Sequence, residues 1–176
     1  MNIEFGGGEN PRKKEYRQVD IRKIREDDIV CAAWEVEKHI EPNIVENIYS
    51  RHFFEHLTRD QATRTLKAWY NICTKGAEIT MLVPNMKLHI WQWLNWDKLS
   101  EKDREWCLVS IYGWQRESDE SAWDLHKSGY DFEKLKELVE KHHFSGIVKT
   151  MTDGPMNDIT VNNQKAFKHL AVKFYK

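Results

Sequence analysis

The chain has 176 residues, of which 40% are hydrophobic, and this length and composition fit a single globular domain spanning residues 1–176. With 27 Lys and Arg against 28 Asp and Glu, its net charge of -1 provides no basic field for a nucleic-acid partner. The three cysteines have no Cys-x-x-Cys spacing, and we find no leader-like start or membrane-length apolar run, so we expect a soluble, cytoplasmic protein with reduced thiols and no membrane partner.

The N-terminal stretch carries the first sign of a ligand site. Residues 2–5 are predicted to form a strand that runs into the glycine loop Gly6-Gly7-Gly8, and a second predicted strand, residues 16–20, ends at Asp20. Glycines at the carboxyl end of a strand let a ligand approach the backbone closely, and an acid that ends the neighbouring strand can accept hydrogen bonds from ribose hydroxyls. This pair of features indicates a nucleotide site.

Three further strands are predicted along the chain. Short apolar runs predict a third strand over residues 28–32 and a fourth over residues 46–50, and a nearly continuous apolar run stopped by Pro84 predicts a fifth over residues 77–83. A helix separates the last two, and the order strand, helix, strand implies a parallel crossover. The pattern therefore predicts an α/β fold with a mostly parallel, Rossmann-like sheet.

Two helices are marked by their ends as well as by their apolar stripes. Residues 59–73 follow a Thr58-x-x-Gln61 capping box, and Lys75-Gly76 supplies the predicted C-terminal signal. Residues 132–142 follow Asp131, which is a predicted N-cap. Both stripes are predicted to pack into the core.

The segment between these helices, residues 86–130, is predicted to be an insertion that packs over the strand ends before the last helix. Aromatic side chains give a large, rigid contact area, so this segment is either a lid or substrate wall or a small hydrophobic subcore without a ligand role. Later strands are predicted over residues 143–150 and, at a sheet edge, over residues 169–174. Six of the eight tryptophans lie in the segment: Trp91, Trp93, Trp96, Trp106, Trp114 and Trp123.

Two types of nucleotide site are excluded by the residues that follow the glycines. A dinucleotide fold needs the third glycine of Gly-x-Gly-x-x-Gly, and Pro11 stands there. A phosphate-binding loop needs Gly-Lys-Ser/Thr, and Glu9 follows Gly8 in place of the lysine. Dehydrogenase and P-loop nucleoside triphosphatase activities therefore lose their signatures.

Residues His52-Phe53-Phe54-Glu55-His56 match the His-x-x-Glu-His pattern of zinc peptidases, which places two imidazoles one turn apart on a helix. Here the five residues come directly after the fourth strand and before the Thr58 cap, so we expect them in a strand-to-helix loop. A zinc hydrolase using this motif stays open as an alternative, and the interpretation below assigns no metal ligand.

From Phe5 to about Thr150 the chain resembles a small class I S-adenosylmethionine-dependent methyltransferase, of the group often associated with sugar and small-metabolite modification. Order and spacing of four stretches carry the resemblance. They are Phe5-Gly6-Gly7-Gly8 for the glycine motif, Gln18-Val19-Asp20 for the ribose acid, residues 48–57 for the motif after the fourth strand that ends in Glu-His-Leu, and Leu82-Val83-Pro84-Asn85 for the end of the fifth strand.

The resemblance implies S-adenosylmethionine as the cofactor and methyl transfer to a small molecule or saccharide as the reaction. Methyl transfer needs in-line positioning of a nucleophile, plus a base if that nucleophile begins protonated, and the candidate bases are His56 and His126. The implied cofactor contacts are Phe5, Gly6, Gly7 and Gly8 for the methionine part, Asp20 for the ribose, Trp34 or Glu35 for the adenine, and Ser50, Arg51 and His52 beside the donor methyl group.

The chain also departs from the family at its N-terminal end. Only the loop of residues 9–15 separates the glycines from the second strand, so the helix that usually opens on the cofactor's carboxylate is predicted to be reduced or absent. A thinned N-terminal face would be covered by a second subunit in a homodimer. The same departure leaves open a non-catalytic interaction or assembly module on this fold, with the tryptophan segment as its contact surface.

Overall fold

The computed structural model describes residues 1–115, 123–150, 158–161 and 164–176, and of residues 158–161 and 164–167 only the backbone. The strands are β1 (Asn2–Phe5), β2 (Arg17–Asp20), β3 (Ile29–Val30), β4 (Val45–Arg51), β5 (Cys73–Pro84), β6 (Ser145–Lys149), β7 (Asp158–Val161), β8 (Gln164–Phe167) and β9 (His169–Tyr175). The α-helices are α1 (Arg59–Ile72), α2 (Met86–Leu94), α3 (Glu101–Tyr112) and α4 (Phe132–Lys141). In these parts of the chain, no helix is both long and apolar enough to cross a bilayer.

Seven strands form one sheet in the order β3-β2-β1-β4-β5-β9-β6. Strands β1 to β5 are parallel, whereas β9 runs antiparallel to both β5 and β6. The mostly parallel α/β sheet predicted from the sequence is therefore confirmed. Because the strand order reverses between β1 and β4, their carboxyl ends flank a topological switch point, where open α/β sheets bind ligands.

Helix α1 begins where the sequence predicts. Thr58 N donates to Gln61 Oε1 at 2.9 Å and Gln61 N donates to Thr58 Oγ1 at 3.3 Å, which completes the capping box. The helix ends at Ile72, one residue before the predicted end, but the predicted Lys75-Gly76 C-terminal signal is wrong, because the chain enters β5 at Cys73 without a loop. Gly76 consequently lies within β5, with φ at +81°, and caps no helix.

The last strand was predicted at a sheet edge, and this prediction is also wrong. Strand β9 is an inner strand, because Val172 pairs with Met81 of β5 on one side and with Lys149 of β6 on the other. Its residues 170–172 are buried. The short alternating pattern fits an inner strand as well as an edge, since the pattern alone does not report its neighbours.

No helix lies between β1 and β3, as predicted, and buried carboxylates organise the connecting loops instead. Glu4, which is only 2% exposed, accepts hydrogen bonds from Arg12 N at 2.9 Å and Lys13 N at 2.8 Å. This carboxylate therefore fixes the loop after the glycines from inside the sheet, in the place where the usual helix would begin.

The loop between β2 and β3 is held in a similar way. Asp28 Oδ2 accepts hydrogen bonds from Ile24 N at 3.0 Å and Arg25 N at 2.6 Å, and Arg25 Nε donates to Oδ1 at 3.1 Å. Burial opposes ionisation of Asp28, but these hydrogen bonds and the guanidinium lower its pKa below the ordinary value. The Arg25 guanidinium also donates to the carbonyls of Lys14 and Tyr16, which joins the two loops.

The main core lies on the sheet face that carries α1, α4 and the 3₁₀ turn Ala33–Lys38. Trp69 of α1 is fully buried, with ring centroids 4.9 Å from Phe5 and 5.9 Å from Phe54. These contacts join the end of β1 to the turn after β4. A second, smaller cluster, covered by Tyr16 of the N-terminal loop, contains Tyr49, Leu82 and Ala171.

The tryptophan segment is built on α2 and α3. Its buried side chains in these helices are Leu88, His89, Gln92 and Cys107, whereas none of its six tryptophans is buried. Trp93, Trp114 and Trp123 are exposed by 46%, 47% and 60%, so the described part of the segment is not a tryptophan-filled subcore. Residues 116–122 of the predicted insertion lie outside the described residues.

Candidate active site

A cavity of about 410 Å³ opens at the switch point of the sheet. Gly6, directly after β1, and His52, directly after β4, lie on its wall together with Asp20 at the end of β2. Its volume falls in the range of small-molecule sites. The end of the tryptophan segment closes one side, where Trp123 and Lys127 line the same cavity.

Two predicted contacts for a nucleoside lie in this cavity. Asp20 is 8% exposed, and both of its hydrogen bonds from Arg22, from N at 3.0 Å and from Nε at 3.4 Å, are accepted by Oδ1. Oδ2 can therefore accept a hydrogen bond from a ligand. Trp34, in the 3₁₀ turn after β3, presents its ring to the cavity, and the Arg64 guanidinium lies 5.8 Å from the centroid of that ring.

The three glycines have different surroundings. Gly6 has φ at +67° and lines the cavity, and a Cβ at this position would lie only 2.6–2.8 Å from atoms of Phe53. Gly7 packs over Gln18 and Glu4, away from the cavity wall, and Gly8 lies beside the guanidinium of Arg22. Only Gly6 is thus placed to let a ligand approach the backbone.

Besides Gly7 and Gly8, four further predicted cofactor contacts do not line the cavity. Glu35 instead accepts a hydrogen bond from Lys38 Nζ at 2.6 Å, and that bond lowers the pKa of its carboxyl, so Trp34 alone remains of the adenine pair. Phe5 is fully buried in the aromatic core, because a large side chain on a central strand faces α1. Ser50 is fully buried within β4, and the half-buried Arg51 also stays outside the cavity.

Glu55, to which the sequence analysis gave a chemical role only in the zinc alternative, is the centre of a histidine cluster. It is 1% exposed and accepts a hydrogen bond from His52 Nδ1 at 3.0 Å. His126 Nε2 lies 4.0 Å from the same oxygen, Oε1, and the His56 and His126 rings meet edge to face at 4.8 Å. The two predicted bases therefore lie together, although only His56 lines the cavity.

Burial and charge act in opposite directions on these groups. Burial opposes ionisation of Glu55, but the hydrogen bond from His52 and the charges of His52 and His56 lower its pKa. Burial lowers the pKa of His126, although Glu55 opposes this shift. Near neutral pH the pair is therefore an ionised carboxylate beside a neutral imidazole.

The segment after the tryptophans holds this cluster from the far side. Lys127 N and Ser128 N both donate to the Glu55 carbonyl, at 2.9 and 3.0 Å, and His126 N donates to the Tyr112 carbonyl at 3.1 Å. His52 has φ at +48°, and residues Phe54–His56 form a single 3₁₀ turn. The His-x-x-Glu-His residues thus lie in a loop, as predicted, and do not form the helical arrangement of a zinc peptidase.

A second cavity, of about 800 Å³, lies where β5, β6 and β9 meet the loops and helices that follow or precede them. Its wall includes Asn85 after β5, Lys149 at the end of β6 and His169 at the start of β9. The His169 ring packs edge to face against His52 at 4.6 Å. The two imidazoles in contact therefore line different cavities.

Solved structures with a similar backbone share one function class. A methyltransferase dependent on S-adenosylmethionine from Archaeoglobus fulgidus superposes with a TM-score of 0.67 at 14% identity, covering 99% of this chain and 85% of that chain. One from Methanosarcina mazei gives a TM-score of 0.63 at 10% identity, covering 99% and 91%. This chain has the class I methyltransferase fold. No protein-family model matches the sequence, and no curated protein does either.

A third methyltransferase structure was solved with ligands. The 1,6-didemethyltoxoflavin-N1-methyltransferase of Burkholderia thailandensis, with its substrate and S-adenosylhomocysteine bound, has a TM-score of 0.58 at 13% identity, covering 99% of this chain and 70% of that chain. At such identities the similarity establishes the methyltransferase fold, and residue roles must come from the site itself.

Arg22 and Lys127 of this cavity were not singled out by the sequence analysis, which named Trp123 only as part of a predicted lid or substrate wall. Arg22 is the second residue after Asp20, in a charged stretch of the chain. Nothing in that stretch predicts that its guanidinium lies beside Gly8. Trp123 and Lys127 reach the cavity because their segment docks on the Glu55 carbonyl, a contact between residues about 70 positions apart. No local motif encodes that docking.

The partly buried His169, at the start of β9, predicts a pH-dependent stability. Burial, with the nearby charges of His52 and Arg51, lowers the pKa of His169 to about 4, whereas an unfolded histidine titrates near 6.5. The unfolded chain therefore binds more protons between these values, and the free energy of unfolding should fall as pH drops from about 6.5 to 4, by up to about 1.4 kcal/mol per pH unit from this group. Urea unfolding at pH 6.5, 5.5 and 4.5 measures it.

A comparison of variants assigns that slope to His169. His169→Gln should show a smaller loss of stability with acid than the wild type, whereas His39→Gln, at an exposed position, should keep the wild-type slope. Equal slopes in the His169 variant and the wild type would show that this imidazole is protonated in the folded protein as easily as in the unfolded chain.

Proposed function

We propose that this chain is an S-adenosylmethionine-dependent methyltransferase that acts on a small molecule or a saccharide. The observation that carries the proposal is the cavity at the switch point, where Gly6, Asp20 and Trp34 converge from three strand ends. When bound, S-adenosylmethionine supplies a sulfonium methyl group, whose C–S bond breaks as the acceptor binds the methyl carbon, leaving S-adenosylhomocysteine.

The residues of the cavity fit the parts of this cofactor. Asp20 Oδ2 accepts a hydrogen bond from the ribose, and the Trp34 ring supplies an apolar surface for the adenine. Arg22 takes the place of the missing helix N-terminus, because its guanidinium lies beside Gly8 and can form charge-assisted hydrogen bonds with the carboxylate. This assignment explains how a chain with a shortened N-terminal region retains an anion partner.

The acceptor approaches from the second cavity. His169 on its wall contacts His52 of the cofactor cavity, so an acceptor held there would lie next to the cofactor cavity. His56 Nδ1 donates to the Leu125 carbonyl at 3.1 Å, which leaves the lone pair of the neutral ring on Nε2. In that form His56 can accept the proton of the acceptor.

Isothermal titration with S-adenosylhomocysteine tests the proposal. We expect saturable binding of one ligand per chain, tighter than about 0.1 mM, and no comparable binding of ATP, since the chain lacks a phosphate-binding loop. Undetectable or millimolar binding of S-adenosylhomocysteine would refute the enzyme. If light scattering then showed a mass that rises with concentration, the exposed tryptophans would favour an assembly module instead.

A further inference from the structure

The Glu55 cluster contains more negative charge than its hydrogen bonds satisfy. Glu55 is 1% exposed, and Oε2 has no hydrogen-bond partner among the described residues. Among the described residues, His52 and His126 have a ring nitrogen within 4.0 Å of this carboxylate, and no Lys or Arg forms an ion pair with it. A buried carboxylate without a fixed cation is costly unless a cation or a proton accompanies it.

The two neighbouring imidazoles present lone pairs to this carboxylate. His126 Nδ1 donates to the Ser110 carbonyl at 2.9 Å, and His56 Nδ1 donates to the Leu125 carbonyl at 3.1 Å. In a neutral ring each of these hydrogen bonds leaves Nε2 unprotonated. His126 Nε2, an acceptor, then lies 4.0 Å from Glu55 Oε1, another acceptor, so neither satisfies the other.

This arrangement has the features of a metal site. Metal-binding histidines usually donate their second ring N–H to a carbonyl or carboxylate, as both of these do. One donor atom from each of Glu55, His56 and His126 lies within 4.8 Å of the other two. Metal bonds of about 2.1 Å place ligand atoms about 3.0–3.4 Å apart, so closure around an ion needs side-chain shifts on the order of 1 Å.

We propose that Glu55, His56 and His126 bind one divalent transition-metal ion at the edge of the cofactor cavity. Two imidazole nitrogens and one carboxylate oxygen suit Zn²⁺, Mn²⁺ or Co²⁺ better than Mg²⁺ or Ca²⁺, which prefer sets of oxygen ligands. His52 supports the site, because its Nδ1–H donates to Glu55 Oε1 and leaves Oε2 for the ion. The proposed ligands therefore differ from the zinc-peptidase motif, because His126, 70 positions after His56, takes the place of His52.

The site indicates the class of acceptor, and this step rests on the proposed methyltransferase function. Three protein ligands leave coordination positions open, and His56 lies on the cavity wall, so an acceptor oxygen can bind there. Coordination lowers the pKa of a hydroxyl, whose proton passes to solvent before the oxygen bonds to the methyl carbon and the C–S bond breaks. The acceptor is then a hydroxyl compound. Because its Nε2 lone pair binds the ion, His56 no longer takes the acceptor proton, and this replaces the role as a base given to it under the proposed function.

Metal binding by the full-length protein, prepared without a histidine tag, tests the site without an activity assay. After removal of metal with EDTA, Zn²⁺ titration followed by elemental analysis should give one ion per chain, and Co²⁺ should produce visible absorption bands. Glu55→Gln and His126→Gln should each weaken binding by about 100-fold or more, whereas His39→Gln should bind as the wild type does. Zn²⁺ should also raise the melting temperature of the wild type but not that of the Glu55 variant.

Two results separate this inference from the proposed function. If S-adenosylhomocysteine binds in EDTA but the wild type does not take up one Zn²⁺ or Co²⁺ ion per chain, the metal site is wrong and the methyltransferase stands. The measurement on the wild type decides this even if a variant fails to fold. If the ion binds stoichiometrically but S-adenosylhomocysteine does not, the metal site stands and the hydroxyl acceptor falls with the proposed function.

Discussion

Replacing Asp20 with alanine should weaken S-adenosylhomocysteine binding by about 10- to 150-fold, which corresponds to about 1.5–3 kcal/mol for a hydrogen bond to a charged group. Asp20 ends β2 on the wall of the switch-point cavity, and its Oδ2 takes no part in the two hydrogen bonds from Arg22. Isothermal titration of the variant and the wild type measures the change.

Two further variants separate the ligand contact from general effects. Asp27→Ala makes the same change of charge in the same loop at a side chain that is 69% exposed, and its affinity should stay within about twofold of the wild type. Asp20→Asn keeps an oxygen acceptor without the charge, so its affinity should fall between those of the wild type and Asp20→Ala. An unchanged affinity in Asp20→Ala removes this residue from the cofactor site.

The sequence predicted the parts of the fold that depend on short-range patterns. The apolar runs of β4 and β5 and the Thr58 capping box each lie within about a dozen residues, and each is found in the structure. Gly6 and Asp20 were also predicted correctly as neighbours, because the carboxyl ends of adjacent parallel strands meet at one edge of the sheet. Their place in a common cavity follows from strand order alone.

The features of the fold and of the site that were not predicted depend on contacts that no local sequence pattern specifies. Glu4 holds the loop after the glycines through hydrogen bonds to residues eight and nine positions away. The absence of a helix in this loop could be predicted from its length, but the carboxylate that holds the loop could not. The position of His126 beside Glu55 depends on backbone hydrogen bonds between residues about 70 positions apart. Phe5 was assigned to the cofactor through its motif, but its side chain alternates to the opposite side from Glu4 and enters the core.

Among the three glycines predicted to contact the cofactor, Gly6 combines a positive φ with the closest approach of another side chain. Gly6→Ala should therefore lower the free energy of unfolding by about 2–5 kcal/mol. Two costs combine in this range. The backbone has φ at +67°, which L-residues rarely adopt, and the added Cβ would lie 2.6–2.8 Å from Phe53. Urea unfolding measures the change, and displacement of Phe53 from the cavity wall should also weaken S-adenosylhomocysteine binding.

Gly76 offers a matched control, because its φ is +81° but no atom lies within 4 Å of an added Cβ. Gly76→Ala should therefore cost only the backbone part, about 1–2 kcal/mol. In a Phe53→Gly background, which removes the three Phe53 side-chain atoms closest to the added Cβ, Gly6→Ala should cost about as much as Gly76→Ala does in the wild type. If Gly6→Ala costs the same in both backgrounds, the close approach of Phe53 does not shape the glycine loop, and backbone conformation alone requires glycine at this edge of the cavity.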